Sequence, residues 1–558
     1  MDVSLPAIAL SILLPSALAI YAILVFLYPD TAAFSRRNRN VPTASGGESL
    51  LGHTRYGGKV RPRTYDRKLD IAREFGDIVR LTFVNPTVPW RPVEQFYAFN
   101  VEDVEFILRN PDIFEKGEEG RAVIGQLLGE GIFAADGHQW LVARKTASNI
   151  FKASLFRTHF SADFAHQADV LCSVLRTAAL RGSVVDLQDV LLRCTIDSFA
   201  RLALGTDVGA LSKEPAFTNG VHRIQDAARG EEYERMTFPD IPFASAFDTA
   251  NAIVNKRSSD PFWKWTEYFS GEDQKMLSAL RLMDDFAQTL ITKKRSEVQA
   301  SGGKKGPGLE GDGPLSLLDY FLRYENDDGS ELTDRQMRDV VINFLIAGRD
   351  TTAQTLSWCF WELCHHPEAF ARLREEAFRV LGSRNAQCGY DHTKEMTWTT
   401  AVFYETLRLH PNVPTANKIP AADARLPGTN TRIYKGDIIQ LSSYVMGRLK
   451  KVWGEDAEVW RPERWLTPAN TLVRESPYKW PVFNAGPRVC LGQAMATQEA
   501  CVFLSTVARK FDVELWGEDE PRKWGVWHPQ EEKREGRYSV GLTLGMRGGL
   551  DVKIRERA

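Results

Sequence analysis

One cysteine stands ahead of a helical pattern in a way that suits metal ligation. Cys490 lies in the run Phe483-Asn-Ala-Gly486-Pro-Arg488-Val-Cys490-Leu-Gly492, and a helix is expected directly after it, from Gln493 to about Phe511. The free N–H groups and the dipole of a helix start favour a thiolate, and Gly486 and Gly492 permit the close backbone approach that a large planar cofactor needs. Zinc is disfavoured because no second Cys or His lies nearby at ligand spacing. A buried structural thiol between two glycines remains an open reading of the same residues.

Three further groups could carry or support chemistry. The run Phe344-Leu-Ile-Ala347-Gly348-Arg349-Asp350-Thr351-Thr352 interrupts an apolar helix with a glycine, an acid and two hydroxyls. Glycine and back-bonding threonine weaken a helix interior, which leaves room for a ligand or water against its backbone. Asp350 could instead simply pair with Arg349 or another cation. Glu405 and Arg408, at i, i+3, share one helix face and can pair. Trp140 and Arg144, at i, i+4, point to one side of a helix. In isolation the first pair reads as an ordinary surface contact, and the second as a packing Trp beside a solvated Arg.

Phe483, Gly486, Arg488, Cys490 and Gly492 match every fixed position of the haem-binding signature of the cytochrome P450 family, which the chain resembles over about residues 60 to 550. The resemblance implies a mostly α, triangular fold with a minor β region, clasping one haem b whose iron is held by the Cys490 thiolate; such a ligand pushes electron density toward the metal and favours O–O cleavage. It assigns Arg488, Trp140 and Arg144 to the haem propionates, and Phe483, Gly486 and Gly492 to the cofactor loop. Arg464, in Pro462-Glu463-Arg464-Trp465, would complete a buried structural network with Glu405 and Arg408. Asp350 and Thr351 would be the acid–alcohol pair that delivers protons for oxygen activation. Ala347 stands where a related fatty-acid group has a glutamate that can esterify haem, so no covalent haem link is expected.

The implied activity is a monooxygenase that inserts one atom of O2 into an unactivated C–H bond. Arg349 within Ala-Gly-Arg-Asp-Thr-Thr, together with Gly131-Ile-Phe-Ala-Ala-Asp-Gly-His-Gln-Trp140, is similar to the subgroup that hydroxylates fatty acids and alkanes at or near the chain end. A terpenoid, sterol or secondary metabolite is the alternative substrate. Rival functions are a haem-thiolate isomerase or dehydratase and a non-catalytic haem protein; the Asp350–Thr351 pair argues against both. No flavin or dinucleotide fingerprint is present, so electrons are expected from NADPH through a separate reductase, with cytochrome b5 as a second possible partner.

Positioning these residues falls to a largely helical body. Strands are expected at Ile78–Val84 and Gln95–Phe99, and a short helix at Val101–Arg109. Helical spacing runs from about 139 to 210, then through 331–366, 367–381 and 399–409. Strand character returns at Tyr538–Leu544 and Leu550–Ile554. The Gly-rich stretch 301–314 reads as a surface loop; it lacks the Gly-Lys-Ser/Thr ending of a phosphate loop. That stretch and Glu531–Arg537 look like insertions that could shape substrate access.

Composition sets the frame. The 558 residues are 43% hydrophobic and 25% charged, with 70 basic against 72 acidic side chains and a net charge of −2, which shows no footprint for nucleic acid. The seven cysteines, at 172, 194, 359, 364, 388, 490 and 501, are odd in number and without CxxC spacing, so a disulfide framework is improbable and a reducing compartment is expected. Cys359 and Cys364 read as small core residues. Ala7 to Tyr28 are 22 consecutive uncharged positions, which as a helix would span ~33 Å, enough for a bilayer core. An uncleaved transmembrane anchor over residues 1–30 fits better than a signal peptide, because Met1-Asp2 offers no positive n-region. Arg36, Arg37 and Arg39 then place the body on the cytosolic side, here of the endoplasmic reticulum membrane. Residues 31–59, Gly- and Ser-rich from 40 to 53, read as a linker, and 60–558 as the haem domain.

Overall fold

The computed structural model describes residues 5–27, 40–49, 51–56, 61–84, 92–211, 214–223, 230–258, 260–300, 316–324, 330–528 and 533–557. The Gly-rich stretch 301–314, Tyr28 and Arg36, Arg37 and Arg39 lie outside them. At the N-terminus, Leu5–Leu27 is a 23-residue helix with Pro15 inside it. Among the described residues no helix is long and apolar enough to cross a membrane, so a span is not shown.

The body is mostly helical with two five-stranded sheets. In the first, β1 (Ile78–Phe83), β2 (Val93–Ala98), β3 (Phe114–Glu115), β7 (Ala416–Pro420) and β8 (Ile438–Leu441) lie in the order β1-β2-β8-β7-β3. Residues 40–49 and 51–56, read as part of a linker, pack along this sheet. The Ala44 amide donates to the Arg80 carbonyl at 3.0 Å, and Val41, Ala44 and His53 are buried. An exposed strand edge offers its backbone to any passing segment, whatever its composition.

The second sheet contains β4 (Val184–Asp186), β5 (Ala216–Arg223), β6 (Gly230–Thr237), β9 (Phe511–Leu515) and β10 (Asp551–Glu556), in the order β9-β10-β4-β6-β5. The β5–β6 hairpin is absent from the sequence expectation, because Gly220 and the run Glu231-Glu232-Tyr233-Glu234 carry no apolar alternation. Tertiary contacts hold it instead: Met236 is buried, and Arg235 pairs at 2.7 Å with Asp551, which is 1% exposed. Conversely, Tyr538–Leu544 is not a strand; it makes only an isolated bridge from Tyr538 to Met546. Side chains compete for its backbone, with Asn251 accepting from the Leu542 amide and Asn255 donating to the Val540 carbonyl. Part of the charged stretch 531–537 is described, and there Arg537 is buried in a pair with Glu518.

A 32-residue helix, Asp334–His365, runs through the core and is buried along nearly its whole length. Thr333 and Gln336 form its capping box, and Pro367 opens the next helix just past its end. It packs against Leu187–Phe199, and at Gly348 a Cβ would fall 2.0 Å from the Phe199 ring. The gap expected at this glycine for ligand or water is therefore taken by an aromatic ring, and the glycine serves helix–helix approach. The pattern after Cys490 becomes the helix Gln493–Lys510, also deeply buried.

Candidate active site

The cysteine loop is built by short turns between two helical pieces. Pro481–Phe483 and Gly486–Arg488 are single 3-10 turns, and the Cys490 amide donates to the Phe483 carbonyl at 2.8 Å, closing the loop. Gly486 has φ +62°, and a Cβ there would sit 2.4 Å from the Leu108 carbonyl oxygen. Its glycine is thus required by packing of protein on protein. At Gly492 the nearest atom to a Cβ would be the Cys490 sulfur, at 3.8 Å. Cys490 is the only exposed cysteine. The surrounding protein raises its pKa by desolvation, while the amides of Gly492 and Gln493 and the Arg144 charge pull the other way and favour the thiolate.

Beside the loop, cations converge from four parts of the chain. Arg144, on the helix Gly137–Ala147, donates to the Val489 carbonyl at 2.7 Å. The Arg488 guanidinium lies 4.5 Å from the Trp140 ring centroid and that of Arg144 5.8 Å from it. Arg488 donates to the Ala135 carbonyl at 3.1 Å and to Asp136 at 2.7 Å, but its buried Nε has no hydrogen-bond partner. Lys418, 2% exposed on β7, has its pKa pushed down to about 7, by burial first and then by the Lys116 and Arg488 charges. Burial and Arg488 lower the pKa of Lys116 as well, and Asp136 opposes both shifts. Three cations around one carboxylate, with an orphaned guanidinium N–H, form a seat that an anionic ligand would complete. The two carboxylates of a haem would meet that demand beside the thiol. Sequence reasoning missed Lys116, Lys418 and Asp136; the last lies inside the Gly131–Trp140 segment, but nothing in its own spacing marks it.

On the core helix, Asp350 and Thr351 are adjacent, but no hydrogen bond joins them. Asp350 is held by Arg349 at 2.8 Å and accepts from Thr543 at 3.2 Å; Arg349 also reaches Asp248 at 3.1 Å. The cation pairing that the sequence left open is therefore what the structure shows. Burial pushes the Asp350 carboxyl up to about 6, with Arg349 opposing. The Thr351 hydroxyl bonds back to the Ala347 carbonyl at 2.7 Å, while Thr352 is directed to Glu499. Behind Arg349 lies a polar cavity of about 70 Å³, lined by Asp189, Arg193, Asp240, Ser245, Asp248 and Arg349. It has room for ordered water.

Further from the cysteine, the structure brings Glu405, Arg408 and Arg464 together. Both Glu405 and Arg408 are fully buried, paired at 2.7 and 2.8 Å, and Arg464 joins Glu405 at 2.9 Å.

The cytochrome P450 family model matches residues 69–528. Over 409 residues the chain is 32% identical to cytochrome P450 monooxygenase cyp1 of Mycosarcoma maydis, a match covering 72% of this chain and 60% of that protein. It is 32% identical over 474 residues to cytochrome P450 86B1 of Arabidopsis thaliana, covering 82% and 76% of the two chains. To cytochrome P450 94C1 of the same plant it is 33% identical, covering 82% and 84%. With the signature cysteine at a helix start and a cationic seat beside it, the chain belongs to the cytochrome P450 family and is a monooxygenase whose haem is held through a cysteine thiolate and supplied with electrons by a redox partner.

Proposed function

We propose that this monooxygenase hydroxylates long-chain fatty acids or alkanes at or near the chain end. One observation carries the substrate class: of the two segments that resemble that hydroxylase subgroup, Gly131–Trp140 is tied to the helix that carries the other, the Phe133 amide donating to Asn343 at 3.3 Å. The Glu130 amide donates to Asp339 at 2.8 Å, and Asn343 donates to the Leu128 carbonyl at 2.7 Å. A Cβ at Gly129 or Gly131 would overlap Asp339 or Asn343. The segment leading to Trp140 is thereby fixed against the helix that carries Asp350 and Thr351.

The bound haem supplies oxygen activation, and the chain supplies orientation and protons. Cys490 would hold the metal, and Arg488, Arg144 and Trp140, with Lys116 and Lys418, would hold the propionates. Asp350, whose carboxyl burial pushes up to about 6, can exchange protons close to neutral pH. The Thr351 hydroxyl, once turned from the Ala347 carbonyl, presents the proton on the substrate side.

We place residues 1–30 as a membrane anchor, 31–59 as its connection and 60–558 as the haem domain, on the cytosolic face of the endoplasmic reticulum. The uncharged run from Ala7 to Tyr28 in the sequence supports this reading. Electrons then come from NADPH through a membrane-bound reductase, with cytochrome b5 as an auxiliary donor.

The deciding experiment is a titration of the purified holoprotein with fatty acids, alkanes, terpenoids and sterols, following the spin-state change of the haem spectrum. Long-chain fatty acids are expected to give the tightest saturable response. A response confined to sterols or terpenoids would overturn the substrate class. Removal of residues 1–30 should release the protein from membranes with haem retained; loss of haem from a folded truncation would overturn the division.

A further inference from the structure

Asp136 occupies the N-cap position of the helix Gly137–Ala147, yet its side chain makes no bond to that helix. It turns to the start of another, Gly117–Leu128, where its carboxylate accepts from the Lys116 and Gly117 amides, each at 3.1 Å. The same carboxylate accepts from Arg488 at 2.7 Å and from Arg121 at 2.8 Å. An N-cap acid normally satisfies its own helix. Here that contribution is redirected to a neighbouring helix and to the arginine two residues before Cys490.

Gly117–Leu128 is fixed at its other end too. Arg257 donates to the Val123 carbonyl at 3.1 Å and to Gln126 at 2.6 Å, while making a bidentate pair with Glu267. Arg338 donates to the Leu127 carbonyl at 3.1 Å. The helix is thus a strut, joined through Asp136 to the cation beside the cysteine loop and through its C-terminal turn to the helices Pro242–Arg257 and Asp334–His365.

We infer that Asp136 is a positioning residue that couples the cationic haem seat to the helix Gly117–Leu128. The inference rests on the haem-seat reading above. Because Arg488 keeps an unpartnered Nε while Asp136 holds one of its terminal nitrogens, the carboxylate fixes the plane of the guanidinium and leaves one donor for the ligand. Its negative charge also offsets the surplus of cations at the seat, so removing it makes electron uptake at the nearby metal easier.

The test uses full-length holoprotein with Asp136→Asn. Hydrogen–deuterium exchange over residues 116–121, the rate of haem transfer to an apomyoglobin acceptor, and the reduction potential are measured together. Exchange is expected to rise at least about tenfold, as for the loss of a charge-assisted bond; haem transfer should accelerate and the potential shift upward. Arg121→Ala, which removes a half-exposed partner, should leave haem transfer and potential near wild type. Unchanged exchange in Asp136→Asn would overturn the inference. So would faster exchange with unaltered potential and haem transfer, since Asp136 would then be a helix cap and nothing more. Should Asp136→Asn yield no holoprotein, Arg488→Lys reads the same coupling: faster exchange at 116–121 is expected, and wild-type exchange there overturns it. The reduced carbon monoxide spectrum separates the two levels, because a thiolate-type band in Asp136→Asn leaves the Cys490 assignment standing whatever the other readings show.

Discussion

Two guanidinium–carboxylate assemblies, at Arg408 and at Arg488, differ in how far the protein itself satisfies them. At Arg408 every N–H has an acceptor: two go to Glu405, and the others to the carbonyls of Gly447, Ala457 and Val459. Glu405 in turn receives Arg464, the Arg461 amide and the Trp465 indole. At Arg488 the protein stops short, leaving Nε unpaired beside Lys116 and Lys418 with Asp136 as counter-charge. Burial is comparable, but only the second assembly has something left to bind. A saturated buried network is scaffold, whereas an unsaturated one with a surplus of cations is a seat.

Breaking the saturated network should have the largest effect. Arg408→Ala leaves the buried Glu405 with Arg464 as its one remaining guanidinium partner and strips the Gly447, Ala457 and Val459 carbonyls of their donor, at a cost of about 3–5 kcal/mol, a large part of the ~5–15 kcal/mol that holds a typical domain together. No haem-competent folded protein is expected, as judged by circular dichroism and haem content; a normally folded, haem-loaded Arg408→Ala would collapse the distinction. In the unsaturated seat the protein should tolerate the loss and the ligand should not. Lys418→Met is expected to fold, even to gain stability without haem, and to lose haem roughly tenfold faster, the equivalent of one charged hydrogen bond. Retention equal to wild type would remove Lys418 from the seat.

Asp350 stands between these extremes, paired but still able to titrate. Thr351→Ala should keep haem and substrate binding while diverting oxygen to peroxide, cutting product formed per NADPH by up to about 10²-fold. If Thr352→Ala showed that loss and Thr351→Ala did not, the relay assignment would be wrong. The smallest effect concerns pH. With a carboxyl at about 6 in the folded chain against about 3.9 unfolded, the folded state binds more protons between those values. The contribution is therefore fully present below about pH 4 and is lost as pH rises through 6. Denaturant midpoints of Asp350→Asn should lack that decline; an unaltered profile would mean that another group carries it.

How much of this could be read from the sequence follows from chain distance. The cysteine loop was legible because its ligand, glycines and helix start are contiguous, and the Glu405–Arg408 pair because one helix turn sets it. The seat was not, since Lys116, Asp136, Lys418 and Arg488 meet only through tertiary packing. Gly348 and Gly486 were recognised as positions needing a missing side chain, but a sequence cannot say what fills the space: it is the Phe199 ring in one case and the Leu108 carbonyl in the other. The β5–β6 hairpin failed for a related reason, its pairing resting on Asp551 far along the chain.

The place of β10 in the second sheet has a consequence for biosynthesis. This strand lies between β9 and β4, and the chain reaches it only at Asp551–Glu556. A nascent polypeptide must therefore carry β4 with one side unpaired through most of its translation, on the order of a minute at about 5–20 residues per second. Until β10 pairs, β9 and β4 present two open edges where the native sheet has a closed seam.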